Sequence, residues 1–480
     1  MKKYIYILIA ATSLLGSCSK ELELNPYNRL ETSEAFNTEG DVTLAVKGMY
    51  YGIRASGSYY NGTWNILADV LADNLTSSPA GRGTLTNYYK WQYVPSTNIG
   101  LFAGGYTMIR RANAIVENID KFPAGAFRDN AKGEALAIRA MTYFDMSRVF
   151  SKTYQNATDA DFTLPYVTTT DETIKPASES LKGFYDKVLK DLNDALPLIA
   201  TSNGVGRLNK AAVAGLLSRV NLYKGDWAAT IAAANTSLGT APSLPNIADF
   251  PKIWLDATES GVLFKVLNTS TDNVSTQGVN YYQTQSGQIK SEYVVEYNFY
   301  QLFLDADIRK STYIRTSALG ASTTLYNNVI KYAGGTGKAA GVQDAKVLRT
   351  AEVLLNRMEA EYRSGAIAAA VADLVLLKAN RYTGYSSAAD LLLTGTPLLN
   401  EILKQRRLEL AFEGDRFWDL KRRNEGVVRD GTKGELANGG GTPYVAPFLS
   451  LPAGDPKFQL PFPLQETSFN PNLKQNPGYN

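Results

Sequence analysis

Residues 405–423 read QRRLELAFEGDRFWDLKRR. Apolar side chains before and within it recur at helical spacing, which predicts a helix with one apolar face up to about Phe412. Those apolar residues are Leu399, Ile402, Leu403 and Leu410. Glycine tolerates the left-handed conformation that ends a helix, and an aspartate oxygen can cap the helix that follows. Glu413-Gly414-Asp415 therefore predicts a tight join, with the Asp415 side chain capping a second helix.

The second helix carries Phe417, Trp418 and Leu420 among charges of both signs. The charged residues around these apolar groups are Arg406, Arg407, Glu409, Glu413, Asp415, Arg416, Asp419, Arg422 and Arg423. Arginines and carboxylates at this density indicate a pre-arranged ion-pair network. Such a network usually holds a geometry and performs no chemistry.

The composition is that of an ordinary globular protein, with 44% hydrophobic and 20% charged residues in a chain of 480. Basic and acidic residues nearly balance, 49 against 46, so no basic block argues for nucleic acid. Histidine is absent, and the chain has 1 cysteine, Cys18. Histidine-dependent hydrolysis, disulfides and most zinc sites are thereby excluded. We expect no metal and no cofactor.

The amino terminus is typical of a secretory signal. Lys2 and Lys3 precede an apolar run over residues 4–15 that is too short to cross ~30 Å of hydrocarbon as a helix. Residues 15–18, Leu-Gly-Ser-Cys, resemble the lipobox of bacterial lipoproteins, which implies cleavage before Cys18 and its acylation. The alternative is an unmodified cysteine near an ordinary cleavage site. Residues 20–23 resemble the acidic signal that sends Bacteroidetes lipoproteins to the outer face, or they form a plain solvated tether.

We therefore predict a signal peptide over residues 1–17 and a single mature domain over 18–480. This domain has an N-terminal helical half to about 240 and a C-terminal half from about 241. Apolar periodicity predicts helices over 41–54, 106–119, 133–150 and 181–196.

Two further segments, 208–238 and 351–379, each contain small residues and a glycine-centred turn, and each resembles a tetratricopeptide unit. Since they lie far apart, we expect a mainly α fold of tetratricopeptide-like helix pairs with long irregular insertions. The alternative is a set of unrelated helical hairpins. Residues 241–346 predict a few short strands among loops, and 426–480 should be mostly irregular.

Three sets of residues resemble the SusD/RagB family of outer-membrane nutrient-binding lipoproteins. The first is the opening stretch, residues 405–423. The second is the end of the chain, with Leu460-Pro-Phe-Pro463, Gln465-Glu466, Asn470-Pro-Asn-Leu473 and Gln475-Asn-Pro-Gly-Tyr479. The third is Tyr106 followed by Arg111-Ala-Asn113. With the lipobox, these span nearly the whole mature chain.

The resemblance implies a lipid-anchored protein at the cell surface, facing outward over a SusC-like TonB-dependent outer-membrane transporter. Members of this family capture oligosaccharides in many cases and peptides in some, and pass them on without breaking bonds. The resemblance therefore implies a binding protein that is not an enzyme. A glycan is the expected ligand and a peptide is the alternative. A glycoside hydrolase and a purely structural adaptor are further alternatives.

Sugar-binding proteins offer aromatic faces to the pyranose ring and polar side chains to its hydroxyls. Residues 59–101 are rich in polar and aromatic residues and too long for a simple connection, so we expect a binding surface there and around Tyr281. The predicted ligand-binding residues are Tyr59, Tyr60, Trp64, Asp73, Arg82, Trp91, Asn98, Tyr281 and Tyr282. For any one aromatic residue, the alternative is that it pins its loop to the core.

Three weaker patterns suggest other chemistry. Asp69 and Asp73 would share one helix face, but a glycosidase usually takes its two carboxylates from separate elements. Asn156, Asp159 and Asp161 could surround calcium, yet the EF-hand glycine and glutamate are missing. Residues 334–338 suggest a phosphate loop, but Lys338 is followed by alanine where serine or threonine is needed.

Overall fold

The computed structural model describes residues 35–55, 59–271, 276–285 and 288–479. The predicted signal peptide, the lipidation site Cys18 and the acidic residues 20–23 lie outside the described residues. One hydrophobic core contains side chains from both halves of the chain, from Phe36 to Tyr479.

The N-terminal half consists mainly of antiparallel helices. Its helices are α1 (Glu39–Ala55), α2 (Thr63–Leu71), α3 (Thr86–Tyr89), α4 (Leu101–Ile119), α5 (Ala126–Phe150), α6 (Leu181–Leu198), α7 (Lys210–Lys224) and α8 (Trp227–Leu238), with strands β1 (Leu75–Ser77), β2 (Phe162–Thr163) and β3 (Glu179–Ser180). α4 packs on α1 and α5, and α5 packs on α6. α5 is buried along most of its length because helices cover it on several sides.

The C-terminal half begins with short strands and helices and returns to long helices. Its helices are α9 (Phe250–Ile253), α10 (Thr276–Tyr281), α11 (Tyr297–Gln301), α12 (Ile308–Tyr313), α13 (Thr350–Arg363), α14 (Ile367–Ala379), α15 (Gly395–Glu409), α16 (Arg416–Arg422) and α17 (Leu464–Phe469). Its strands are β4 (Val262–Val266), β5 (Thr284–Gln285), β6 (Gln288–Ile289), β7 (Tyr293–Val295), β8 (Ile314–Ala318), β9 (Leu325–Val329), β10 (Ala345–Arg349), β11 (Val427–Val428) and β12 (Ser450–Leu451). Single turns of 3-10 helix span Tyr154–Asn156, Asp390–Leu392 and Pro456–Phe458.

The two tetratricopeptide-like pairs, α7–α8 and α13–α14, lie side by side. Gly225 turns the chain between α7 and α8 with a φ of 80°, and the Asp226 carboxylate caps α8 by accepting from the Ala229 amide. α13 packs on α8, and a buried ion pair joins Arg219 of α7 to Glu352 of α13, with Nε–Oε1 at 2.6 Å. The prediction of an interrupted helical array is confirmed.

The strands pair two by two, all antiparallel. β4 pairs with β10, which places the segment between α8 and α13 against the helical array. β1 pairs with β7 in the register Leu75 to Val295, so the excursion over residues 59–101 meets the segment that follows Tyr281. This pairing positions the surface described below.

The signature stretch forms the predicted join, with two corrections. α15 ends at Glu409, before Phe412, whose own φ is 65°. Gly414 has the left-handed φ of 77° that glycine favours, but it lies in the turn after α15 and does not end that helix, and the Asp415 side chain makes no cap for α16. The Asp415 carboxylate instead turns to Arg406, with Nε–Oδ2 at 3.3 Å, because the buried guanidinium competes for it.

The predicted ion-pair network is present and buried. The Glu409 carboxylate contacts Arg309, Arg349 and Arg381, and the neighbouring Glu413 pairs with Arg349 and Lys331. Although burial alone would raise the pKa of Glu409, the guanidinium groups of Arg381 and Arg349 hold that pKa well below its usual range. Through Arg309, Lys331, Arg349 and Arg381, this network holds the signature stretch against four other segments.

Candidate functional site

Five of the predicted aromatic residues are buried, so their predicted location on a surface groove is wrong. They are Tyr59, Tyr60, Trp64, Trp91 and Tyr281. Trp64 stacks on Trp418 of the signature stretch with ring centroids 6.2 Å apart, and Tyr281 stacks on Tyr332 at 5.5 Å. Other rings cover the faces of Trp64 and Tyr281. This is the alternative in which an aromatic residue pins its loop to the core.

Trp91 shows why these rings point inward. Its Nε1 donates to the Leu71 carbonyl at 2.9 Å, and the Arg429 guanidinium lies 4.1 Å from its ring centroid. The same guanidinium donates to the main-chain oxygens of Ala72 and Val70. Arg429 also lies 4.7 Å from the Tyr89 ring centroid, so one buried guanidinium holds two rings of the excursion against the main chain at the end of α2.

The two aspartates near the end of α2 do not share a helix face, because the helix ends at Leu71, before Asp73. Asp73 is held by Arg416 at 2.7 Å and by Arg407 at 3.2 Å. Asp69 is wholly buried, and burial raises its pKa to about 7. The two carboxyl groups therefore serve different internal partners.

The excursion and the loop after Tyr281 do meet at the surface. The buried carboxylate of Glu292 accepts hydrogen bonds from the main-chain amides of Arg82 and Thr84, from the Thr84 hydroxyl at 2.8 Å and from the Arg82 Nε at 2.8 Å. The Arg82 side chain is 59% exposed, whereas that of Glu292 is 2% exposed. The loop that carries Arg82 is therefore fixed from below while its guanidinium faces solvent.

Tyr282 lies on the same face of the molecule. Main-chain bonds from Lys290 to Gln283 and from Glu292 to Asn280 tie this segment to Glu292, and the Arg315 guanidinium donates to the Tyr282 hydroxyl at 3.3 Å. We name this region the junction surface. It comprises the exposed or half-exposed residues Arg82, Tyr282, Gln283, Lys290 and Arg315.

Asn98 lies elsewhere in the excursion, just before α4. Its side-chain oxygen accepts from the Gly100 amide at 2.7 Å, and the nearby Pro95 carbonyl accepts from Leu464 in the C-terminal tail. Of the predicted residues, the structure thus brings Arg82 and Tyr282 to the junction surface, places Asn98 beside the tail, and places the other six in the interior.

A concave region, which we name the α4 cleft, was not predicted. It has a volume of about 550 Å³ and lies between α4, residues 165–176 and α17. Its lining residues are Phe102, Ala103, Tyr106, Ile109, Arg110, Asn113, Pro165, Val167, 169–176, Glu466, Phe469, Asn470 and Leu473. Phe469 and Ile174 at its edge are 69% and 40% exposed.

The irregular wall of the α4 cleft is held in place by side-chain donors. The Asn113 amide donates to the carbonyls of Val167 and Thr169, both at 3.1 Å. The Tyr106 hydroxyl donates to Pro165 at 2.8 Å, and the Asn470 amide donates to Pro176 at 2.8 Å. A loop without secondary structure is therefore fixed from both α4 and the tail.

Charges line the opening of the α4 cleft. Arg110 and Glu172 form an ion pair across exposed side chains. Glu466 is half-buried, and burial raises its pKa; its carboxylate makes no hydrogen bond or ion pair with any residue that the structure describes. Burial raises the pKa of Tyr106 well above its usual range, and Tyr143 and Glu466 add to the effect.

Four residues of this cleft carry a sequence signal that indicates the fold and does not indicate a cleft. Tyr106, Asn113, Glu466 and Asn470 belong to the stretches that carry the family resemblance. Their shared cleft follows from contacts between residues more than 300 positions apart, such as Leu464 to Pro95.

The charged residues of the calcium-like and phosphate-loop-like segments form ion pairs with other residues of the chain. Asp159 pairs with Lys182 at 2.7 Å and Asp161 with Lys152 at 3.0 Å. Lys338 pairs with Asp256 at 2.8 Å and with Asp344 at 2.6 Å, so its ammonium is used within the fold. None of the helices in the described part of the chain has the length and apolar character needed to span a membrane.

Two family models match successive parts of the chain. The model described as the SusD family matches residues 271–479, and the model described as starch-binding associating with outer membrane matches residues 22–222. SusD-like protein P2 of Formosa agariphila is 25% identical over 529 residues, covering 100% of both chains. SusD-like protein P38 of the same organism is 25% identical over 245 residues, and this match spans 50% of this chain and 46% of that protein.

Solved structures with similar folds cover nearly all of the chain. A SusD superfamily protein from Bacteroides thetaiotaomicron superposes with a TM-score of 0.80 at 24% identity, covering 92% of this chain and 100% of that one. A SusD-like carbohydrate binding protein from Bacteroides vulgatus superposes with a TM-score of 0.79 at 20% identity, covering 91% and 98%. At these identities the likeness concerns the fold.

Proposed function

Because the chain belongs to the SusD family, we propose that it binds a glycan at the junction surface and passes it intact to a SusC-like TonB-dependent outer-membrane transporter. The observation that carries this proposal is the Glu292 anchor. The buried Glu292 carboxylate pairs with Nε and Nη2 of Arg82, and this pair fixes the loop and the orientation of a guanidinium group that is still 59% exposed. Binding to a fixed loop loses little conformational entropy.

The junction surface has the donors and the ring that a sugar requires. Arg82 and Arg315 offer guanidinium hydrogen-bond donors to hydroxyl oxygens, and the half-exposed Tyr282 ring offers an apolar face. Arg315 already orients the Tyr282 hydroxyl. These groups suit a ligand with many hydroxyls and at least one apolar ring face.

The two aspartates that the sequence offers for glycoside hydrolysis are both engaged inside the fold. A glycosidase needs one carboxyl group to donate a proton and a second to act on the opposite side of the bond. Asp73 is neutralised by two arginines, and Asp69 is enclosed in the core. We infer that the protein does not hydrolyse its ligand.

The cellular setting of the proposal is the outer membrane. The description of the matching N-terminal family model names association with this membrane. We propose that acylated Cys18 anchors the protein there, with the mature chain outside the cell and above the transporter. An acyl anchor of this kind contributes ~0.8 kcal/mol per buried methylene.

Titration calorimetry tests the binding proposal directly. Maltohexaose, cellohexaose, xylohexaose and laminarihexaose are titrated into the purified protein beside a panel of hexapeptides. We expect one or more of the hexasaccharides to bind and Arg315→Ala to weaken binding about tenfold, as for loss of a charged hydrogen bond. Arg363→Ala, on the distant helix α13, is the matched control and should bind normally.

Three outcomes contradict the proposal. Binding of peptides alone favours the peptide alternative. Unchanged affinity in both Arg315→Ala and Tyr282→Ala removes the junction surface as the site. Shorter sugars after incubation with the bound hexasaccharide, detected by chromatography, identify a hydrolase.

A further inference from the structure

We propose that the α4 cleft is a second glycan site, which takes a sugar unit against the ring of Phe469 and pairs its hydroxyl groups with the Glu466 carboxylate. The inference rests on the proposed function, because the occupant is a glycan of the class bound at the junction surface. The geometry that carries it is an aromatic cleft with a rigid wall and a carboxylate that pairs with none of the residues that the structure describes.

The rings form a surface that a sugar can cover. Phe102 and Tyr106 lie 4.9 Å apart in the floor of the cleft, and Phe469 stands at its edge with 69% of its surface exposed. A large apolar side chain in water is unfavourable by about 25 cal/mol for each Å² left exposed. The apolar face of a pyranose ring covers such a surface while its hydroxyls remain free.

Glu466 provides the polar contact that orients the sugar. The carboxylate lines the same cleft as Phe469, three positions away on α17, so the two side chains lie on one side of that helix. It accepts no hydrogen bond from the residues that the structure describes, although it is half-buried. A half-buried carboxylate gains most from a ligand that brings hydroxyl donors.

The wall of the α4 cleft disfavours a peptide. An extended peptide binds by pairing its main chain with free carbonyls and amides of an exposed edge. Here the carbonyls of Pro165, Val167, Thr169 and Pro176 already accept from tyrosine or asparagine side chains. These four carbonyls are therefore not available to pair with the main chain of a peptide.

The size and rigidity of the α4 cleft also suit a short oligosaccharide. A volume of about 550 Å³ lies within the range of ~300–1,000 Å³ that is usual for small-molecule sites. Since the wall is fixed before the ligand arrives, binding requires little ordering of the protein.

The test uses two variants of the α4 cleft with matched controls. Phe469→Ala and Glu466→Gln each remove one proposed contact. Leu464→Ala removes an exposed apolar side chain on the same helix outside the cleft lining, and Glu425→Gln removes an exposed carboxylate elsewhere. The four hexasaccharides are titrated into each variant and into Arg315→Ala, and thermal unfolding verifies that every variant is folded.

A label reports occupancy of the α4 cleft independently of affinity. In a Cys18→Ala background the chain has no cysteine, so Lys175→Cys at the edge of the cleft accepts a single environment-sensitive fluorophore. We expect its fluorescence to change on addition of the binding hexasaccharide. Phe469→Ala and Glu466→Gln should move the midpoint of this change to about three- to tenfold higher hexasaccharide concentration, while the two controls should not.

The outcomes separate the two proposals. If Arg315→Ala weakens hexasaccharide binding but the cleft variants and the label show no effect, the α4 cleft is not a glycan site and the proposed function stands. If the cleft variants weaken peptide binding instead, the ligand class assigned to the cleft is wrong. If no hexasaccharide binds the unaltered protein, both proposals fail.

Discussion

The Glu409 carboxylate accepts hydrogen bonds from Nε and NH2 of Arg381 at 2.8 and 3.0 Å, and neither side chain is exposed to solvent. A carboxylate in this position neutralises several guanidinium groups at once, since Arg309 and Arg349 also contact it. Removing its charge leaves buried cations without compensation, which is more costly than removing an exposed pair.

Glu409→Gln should therefore lower the free energy of unfolding by about 3–5 kcal/mol. The glutamine keeps the shape of the side chain, so the loss reports the charge. Urea unfolding followed by circular dichroism measures it. Glu425→Gln, whose exposed carboxylate pairs with Arg423, should change stability by less than about 1 kcal/mol. Equal effects in the two variants would contradict the role given to the buried network.

Trp418→Ala should lower the free energy of unfolding by about 3–5 kcal/mol, the range for truncating a large buried ring. Trp418 is fully buried and packs against Trp64 and Phe417, remote from solvent. Titration calorimetry on the folded fraction of this variant should give the same ligand affinity as the unaltered protein has. A large loss of affinity with intact stability would place the signature stretch in the binding site.

Gly414→Ala should destabilise the protein by about 1–3 kcal/mol, because the residue combines a φ of 77° with close backbone packing. A Cβ at this position would lie 3.0 Å from the Trp64 carbonyl oxygen. Gly365→Ala has the same kind of strain at a φ of 84° but meets nothing within 4 Å. The difference in urea midpoint between the two variants measures how much the close packing at Gly414 contributes to the loss of stability. Identical midpoints would show that this packing contributes nothing.

Lys421 makes a pH-dependent contribution to stability. Burial lowers the pKa of Lys421 to about 7, below that of an unfolded lysine, so above pH 7 the unfolded chain binds the extra proton. Its contribution to the free energy of unfolding should therefore rise between about pH 7 and about pH 10. The slope of this rise should approach ~1.4 kcal/mol per pH unit. The neutral amine can still donate to the Arg148 and Ser151 carbonyls. Urea unfolding of the unaltered protein and of Lys421→Met at pH 6.5, 8 and 9.5 measures this difference, and a constant difference would contradict it.

Cys18→Ala should release the protein from washed membranes into the soluble fraction, because the acyl chains are the proposed anchor. Fractionation followed by immunoblotting measures this. Retention of the variant in cells that lack the partner transporter would contradict the lipoprotein assignment, whereas retention only in its presence would show that the transporter also holds the protein.

The sequence predicted the helices better than the binding surface. Long periodic segments such as α1 and α6 were placed within a few residues, because burial of one face leaves a 3.6-residue pattern. The same argument cannot tell an exposed tyrosine from a buried one in a polar loop. Tyr281 and Tyr282 are adjacent, yet the first stacks in the core and the second faces the junction surface.

The sequence also predicts that an ion-pair network exists, but it does not predict which residues pair with the signature stretch. The charges of the signature stretch predicted burial and pairing, while Arg309, Arg349 and Arg381, which contact Glu409, lie 100, 60 and 28 positions away. Asp415 shows the same limit. A local rule predicts a helix cap, but the Asp415 carboxylate pairs with the buried Arg406 guanidinium of the preceding helix.

The strand-rich segment between α8 and α13 leaves the helical array and returns to it at neighbouring points. The Thr350 hydroxyl donates to the Pro242 carbonyl at 2.8 Å, and the Thr350 amide donates to Gly261. An insertion with adjoining ends can change in length and content while the helices on either side keep their packing. In related lineages, ligand preference could therefore diverge through this module, which carries most of the junction surface, without a new scaffold.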